Sequence, residues 1–160
     1  MKLISWLTSP LVRNFPNTKA GNSRKLSLEA ALNERFSFQL AVRNEDKDIG
    51  ASPHLRNLTL SVDAPSGLNV RIRRVGQVPV AHRNTGTPAE DIDGVGNYPG
   101  FVPDALFDES SLWLAPLETQ AFYITVTPGK NAKPGKHKLG LTLGVVEEKD
   151  VKAKHEVEVQ

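Results

Sequence analysis

The chain has 160 residues, of which 39% are hydrophobic and 24% charged, and its 20 basic against 18 acidic side chains leave a formal net charge of +2. That length supports one full-sized core over residues 1–160 without crosslinks, and the absence of cysteine excludes a disulfide framework and a thiolate metal site. So small a surplus of positive charge, dispersed along the sequence, points to neither nucleic acid nor an anionic membrane surface as a partner.

Taken in chain order, the opening MKLISWLTSP carries one Lys and a short apolar run. The run is too short for the apolar region of a secretion signal or for a membrane span, and it reads as a first strand in which Trp6 alternates with Ile4. Next, KLSLEAAL alternates through Leu26, Leu28 and Ala30. In RFSFQLAVR, Phe36, Phe38, Leu40 and Val42 fall on one face and Ser37, Gln39 and Arg43 on the other, the pattern of a half-buried strand. Asn33-Glu34 lies between these two runs and reads as the tight connection of a hairpin. Leu58, Leu60 and Val62 give another strand, which Ala64 to Gly67 ends. Leu68, Val70 and Ile72 start the next, with Arg71 and Arg73 on its solvated face, and Val78 and Val80 continue it.

The stretch VAHRNTGTPAEDIDGVGNYPGFVPDALF, Val80 to Phe107, then interrupts the strands and reads as a long Pro/Gly-rich loop over 81–106. A loop of that length in a compact domain binds, docks or stays disordered. Beyond it, LWLAP is a short apolar run around Trp113, and Phe122, Ile124 and Val126 alternate. TPGKNAKPGK supplies two Pro-Gly turns, and Leu139, Leu141 and Leu143 alternate again. A last strand sets Val151, Ala153, His155, Val157 and Val159 against Lys152, Lys154, Glu156 and Glu158. No segment carries a sustained helical stripe, so the expected architecture is all-β: a mostly antiparallel β-sandwich, immunoglobulin-like or jelly-roll-like.

Catalytic signatures are missing: the sequence has no HExxH, GxSxG, phosphate-binding GxxxxGK or cysteine nucleophile. His54, His82, His137 and His155 stand at wide intervals with no metal-ligand spacing, so no metal and no cofactor are expected. Glu90, Asp91, Asp93 and Asp104 could act as a hydrolytic pair or a calcium site only if they converged, and DIDG lacks the further acids of a calcium loop. Arg71, Arg73 and Arg74 lack the interleaved aromatics of a nucleic-acid strip. Trp6, Tyr98, Phe101 and Trp113 are the rings available for stacking on a sugar, although Trp113 stands between Leu112 and Leu114 and Trp6 in a strand, where core packing is the ordinary role.

Two stretches resemble a known family. AALNERFSFQLAVR, Ala30 to Arg43, is similar to an A-x-N-E-x-x-x-F-Q strand pair, and YPGFVPDALF, Tyr98 to Phe107, to a Y-P-(D)-x-L loop, both of the N-terminal β-sandwich that precedes the catalytic barrel in glycoside hydrolase family 123 and related bacterial glycosidase-like proteins. An opening Trp-containing strand, a VPV strand and a closing PGKHKLGLTL strand extend the resemblance over nearly the whole chain. Where the family pattern has Pro-Asp after the loop tyrosine, this chain has Pro99-Gly100, and its Pro-Asp pair comes at Pro103-Asp104.

The resemblance implies an N-terminal module, itself without catalytic residues, that packs on a (β/α) barrel of N-acetylgalactosaminidase type following in the same chain, in a periplasmic or extracellular setting. The family's Asp-Glu catalytic pair belongs to that barrel and has no match here. The alternative expectation is a carbohydrate-binding module. Candidate ligand or domain-interface residues under either reading are His82, Arg83, Asn84, Asp91, Asp93, Tyr98, Phe101, Asp104 and Trp113. Pro88, Pro99 and Pro103 restrict the loop's free ensemble and lower the entropic cost of ordering it, while Tyr98, Phe101, Val102, Leu106 and Phe107 give it apolar surface to bury.

Overall fold

Side chains that alternate at period two leave each strand with one apolar face, and in this protein those faces close against each other as two layers. The computed structural model describes residues 2–46, 55–82 and 86–160, and for 148–152 the backbone alone. It contains ten strands: β1 Leu3–Thr8, β2 Lys25–Leu28, β3 Phe36–Asn44, β4 Arg56–Asp63, β5 Leu68–Val80, β6 Gly100–Phe107, β7 Ser111–Leu114, β8 Thr119–Pro128, β9 His137–Val145 and β10 Glu148–Val159. The first sheet runs β1-β3-β8-β5-β6 and the second β2-β10-β9-β4-β7. Every described pairing is antiparallel except that of β2 with β10. This is the expected mostly antiparallel sandwich.

The registers place Phe38 of β3 opposite Ile124 of β8, and Leu40 opposite Phe122, so one row of large side chains points inward. That row meets Leu58 and Leu60 of β4, Leu139, Leu141 and Leu143 of β9, and Val157 of β10, all buried. Each such side chain contributes about 1.5–3 kcal/mol by leaving water. One polar link crosses the interior: Ser5 Oγ and His155 Nε2 share a hydrogen bond of 2.8 Å between β1 and β10.

Three expectations are corrected. The runs around Asn33-Glu34 do not form a hairpin, because β2 pairs in parallel with β10 while β3 pairs with β1 and β8 in the other sheet. Asn33 adopts a left-handed φ of 68°, and Glu34 Oε2 accepts a 2.7 Å hydrogen bond from the Ala31 amide, so the segment is a turn between layers. Alternation fixes a strand's apolar face but not the sheet it joins, and the two strands serve the same core from opposite sides.

Second, β3 is not half-buried. Its outer-face residues Gln39 and Ala41 are 4% and 0% exposed, because the segment after β1 lies across that face. Gly21 permits this close approach, since a Cβ there would come within 2.6 Å of Trp6 Cδ1.

Third, the loop over 81–106 is shorter than expected, because Gly100–Phe107 is β6 and pairs antiparallel with β5. Pro103 and Asp104 break the strand pattern in sequence. Pro is tolerated at a sheet edge, and the register between β5 and β6 shifts between Val75 and Gln77, beside the Gln77–Pro103 pair. Among the described residues no helix is long and apolar enough to cross a membrane.

Candidate functional site

The outer face of the first sheet carries a network of polar contacts around Gln39 and Arg43. Its floor is a small buried cluster of Trp6, Ala41, Val75 and Ala121, with Tyr123 packed against it. Gln39 projects from β3 and fastens the segment after β1: its Nε2 donates to the carbonyls of Ser9, Pro10 and Val12 at 3.0, 3.3 and 2.7 Å, and its Oε1 accepts from Asn14 Nδ2 at 3.3 Å. Further along the same face of β3, Arg43 donates to the Thr18 carbonyl and to Thr119 Oγ1, which holds the rest of that segment down.

The connection from β5 to β6 folds onto the same face. It contains two single turns of 3-10 helix, Ala89–Asp91 and Val95–Asn97. Gly94 between them has a φ of 69° and lies against the Phe15 ring, so a Cβ would collide with it. Tyr98 meets Phe15 edge-on at 6.4 Å between centroids and 78° between planes, and its hydroxyl lies 3.4 Å from the Asp93 carbonyl. Arg13 and Asp93 approach to 3.9 Å across the two covering segments. Between these segments and β6 lies a cavity of about 440 Å³, with Gln39, Val75 and Tyr123 at its base, Asn14 in its wall, and Asp93, Asp104 and Leu106 around it. Asn14 is 2% exposed, and its Oδ1 has no hydrogen-bond partner among the described residues.

The structure thus brings two of the candidate residues, Asp93 and Asp104, to one cavity, and packs Tyr98 beside it. His82 and Asp91 are exposed on the connection itself. Arg83 and Asn84 lie outside the described residues, as does His54, and the side chains of Val151 and Lys152 are likewise not described. Phe101 on β6 and Trp113 on β7 are exposed by 57% and 56%. Leu112 and Leu114 enter the core, so alternation turns the Trp113 ring to the outside of the second sheet, the layer opposite Tyr98. Among the described residues no cluster of three or more His, Asp or Glu could hold a metal ion.

The charged groups nearby pair locally. Arg71 and Asp108 form a two-pronged ion pair on the surface, which raises the guanidinium pKa and lowers that of the carboxyl. Arg73 differs from the expected solvated residue, since it stacks over Tyr123 at 5.4 Å and donates to Thr125 Oγ1. Burial, with the positive charge of Arg24 second, holds the His155 pKa below its ordinary value. Sequence reading missed Asn14, Gln39 and Tyr123, which stand far apart along the chain. Gln39 falls on the polar face of its strand, and nothing local says that the segment after β1 folds back over it.

In fold, the chain is similar to a family 123 glycoside hydrolase from Clostridium perfringens studied for glycolipid glycan hydrolysis, with a TM-score of 0.68 and 15% identity over 99% of this chain and 27% of that one. The chain therefore spans little more than a quarter of that enzyme's length. Lower scores relate it to the PapD-like domain 7 of human CEP192, at TM-score 0.44 and 13% identity over 96% of this chain and 91% of that one. The major pilin SpaD from Corynebacterium diphtheriae gives TM-score 0.44 and 11% identity over 98% of this chain and 33% of that one. No family model matches the sequence, and no curated protein matches it.

Proposed function

We propose that this chain is a non-catalytic β-sandwich that packs on and supports a glycoside hydrolase catalytic barrel of N-acetylgalactosaminidase type. The observation that carries the reading is the fold match of 99% of the chain to 27% of a family 123 glycoside hydrolase, which leaves most of that enzyme's length for another unit. The surface supports it. Strand β1 contacts β2 and β10 at one side of the sandwich, so the edge strands β6 and β7 share the other side. That side exposes Phe101, Leu106 and Phe107 on β6 and Trp113 on β7, large apolar groups on sheet edges of the kind a partner covers.

The covering partner is the barrel, and β6 with its approach supplies the contact. The rival reading, glycan recognition by aromatic rings, finds Trp113 and Tyr98 on opposite layers, where they share no platform. The test reads the codons that follow Gln160 in the parent reading frame and then substitutes Phe101→Ser with Trp113→Ser in the full protein. A downstream barrel with paired acids is expected, together with a lower Tm for the full protein and an unchanged Tm for the isolated sandwich. A stop codon after Gln160, or an unchanged full protein, removes the proposal.

A further inference from the structure

A cleft opens at the end of the sandwich where β10 finishes, and its walls come from both layers. Phe36 and Leu68 stand at the starts of β3 and β5, Val159 at the end of β10, and Ala30 and Leu32 follow β2. The cleft leads onto the main core, which Val159 joins and against which Phe36, Leu68 and Ala30 pack. Its volume is about 160 Å³. A space of about 150 Å³ takes one benzene-sized apolar group. The turn between β8 and β9 forms the opposite wall and is fixed by its own hydrogen bonds: His137 Nε2 donates to the Lys133 carbonyl at 2.7 Å, and the Ala132 amide to the Gly129 carbonyl at 3.0 Å.

Side-chain size falls where the cleft opens. Val157 and Val159 on β10 pair with Leu26 and Leu28 on β2, and all four turn inward. One step further along the same inward row stands Ala30. On the β9 side, where Val159 pairs with His137, the corresponding step reaches Gly135. A Cβ on Gly135 would meet no described atom within 4 Å. The backbone aims the chain at this gap. The Gln160 amide donates to the Leu28 carbonyl at 2.9 Å, and the Gln160 carbonyl accepts from the Ala30 amide at 2.9 Å, so the parallel ladder of β2 and β10 extends past Val159. With both groups of Gln160 held, the next residue keeps the strand direction, and a period of two turns its side chain to the face of Val157 and Val159.

We propose that this cleft seats the first residue after Gln160, an apolar side chain that extends β10 by one inward position and ties the sandwich to the chain that follows. The inference rests on the supporting role only in that the chain continues beyond Gln160. It is a second contact, separate from the edge formed by β6 and β7.

The test first reads the codon after Gln160, where Val, Ile, Leu, Met or Phe is expected. That residue is then replaced by Ser in the full protein. The sandwich should unfold about 3–12 °C lower, the loss of one buried apolar side chain. Amide exchange should accelerate at Ala30, whose partner is the Gln160 carbonyl. Ala30→Leu fills the cleft from within, so it should lower the Tm of the full protein by displacing the seated side chain, and leave that of the 160-residue chain unchanged or higher. A first residue that is not apolar ahead of a barrel, a Ser variant with Tm and Ala30 exchange unchanged, or an equal effect of Ala30→Leu on both chains overturns the seat and leaves the supporting role standing. A stop codon removes both. An unchanged Tm with Phe101→Ser and Trp113→Ser removes the supporting role alone.

Discussion

Replacing Gln39 by Leu isolates the hydrogen bonds that fasten the segment after β1 onto the first sheet. The carboxamide is 4% exposed, and it serves three carbonyls and the Asn14 amide group. Leu is similar in size and leaves little cavity, so the loss is polar. Each buried group left without a partner costs about 1–3 kcal/mol. Leu11 and Val12 are 88% and 45% exposed, so the carbonyls around them turn to water with modest rearrangement, and the unrelieved groups are Asn14 and one carbonyl. The expected destabilisation is therefore about 2–6 kcal/mol. With a urea m-value of about 2 kcal/mol/M, the unfolding midpoint falls by about 1–3 M at constant m. Hydrogen exchange at Val12, whose amide bonds to the Ser9 carbonyl, should accelerate with it. Gln39→Glu should cost more near neutral pH, since a carboxylate has no hydrogen to offer three carbonyl oxygens and is buried with its charge. A midpoint shift below about 0.3 M with exchange unchanged at Val12 would show that the carboxamide does not hold this segment.

Other expectations follow from the same geometry. Phe122→Ala, at a fully buried position in β8, should lose about 3–5 kcal/mol in urea titration, and a loss below about 1.5 would mean that the two layers close over the gap. Gly94→Ala combines a left-handed φ, costing about 1–2 kcal/mol, with a collision on Phe15. It should abolish the Phe15–Tyr98 ring contact in NOE spectra and speed proteolysis of the connection between β5 and β6, and a retained contact would count against that packing. His155 has its pKa held below the 6.5 of the free side chain, chiefly by burial. Between the folded value and 6.5 the unfolded chain binds more protons, so this contribution to stability is complete above pH 6.5 and declines as pH falls below it. The slope is at most about 1.4 kcal/mol per pH unit, and Tm measured from pH 8 down to pH 5 reads it. An imidazole that titrates above 6.5 by NMR would reverse the sign.

Local alternation by itself determined which side chains face the core. Phe38, Leu40, Val42, Phe122, Ile124, Leu139 and Leu141 all lie where a period of two puts them, because a pleated backbone turns successive side chains to opposite faces whatever surrounds it. The sandwich follows from that, since strands with one apolar face must cover it. The layer each strand joins was not legible. The β2 and β3 runs share one pattern and lie in different sheets, and Pro103 reads as a strand breaker until an edge position makes its missing N–H harmless. The site divides in the same way. Asp93 and Asp104 stand out in sequence as loop acids, whereas Asn14 and Gln39 carry no local mark and Gln39 reads as solvated. Only the tertiary structure lays the segment after β1 over the outer face of β3, turning an outward polar side chain into a buried anchor and walling one side of an open cleft. Period and composition act over a few neighbouring residues, while burial of that face is decided by chain brought back from about 25 residues away.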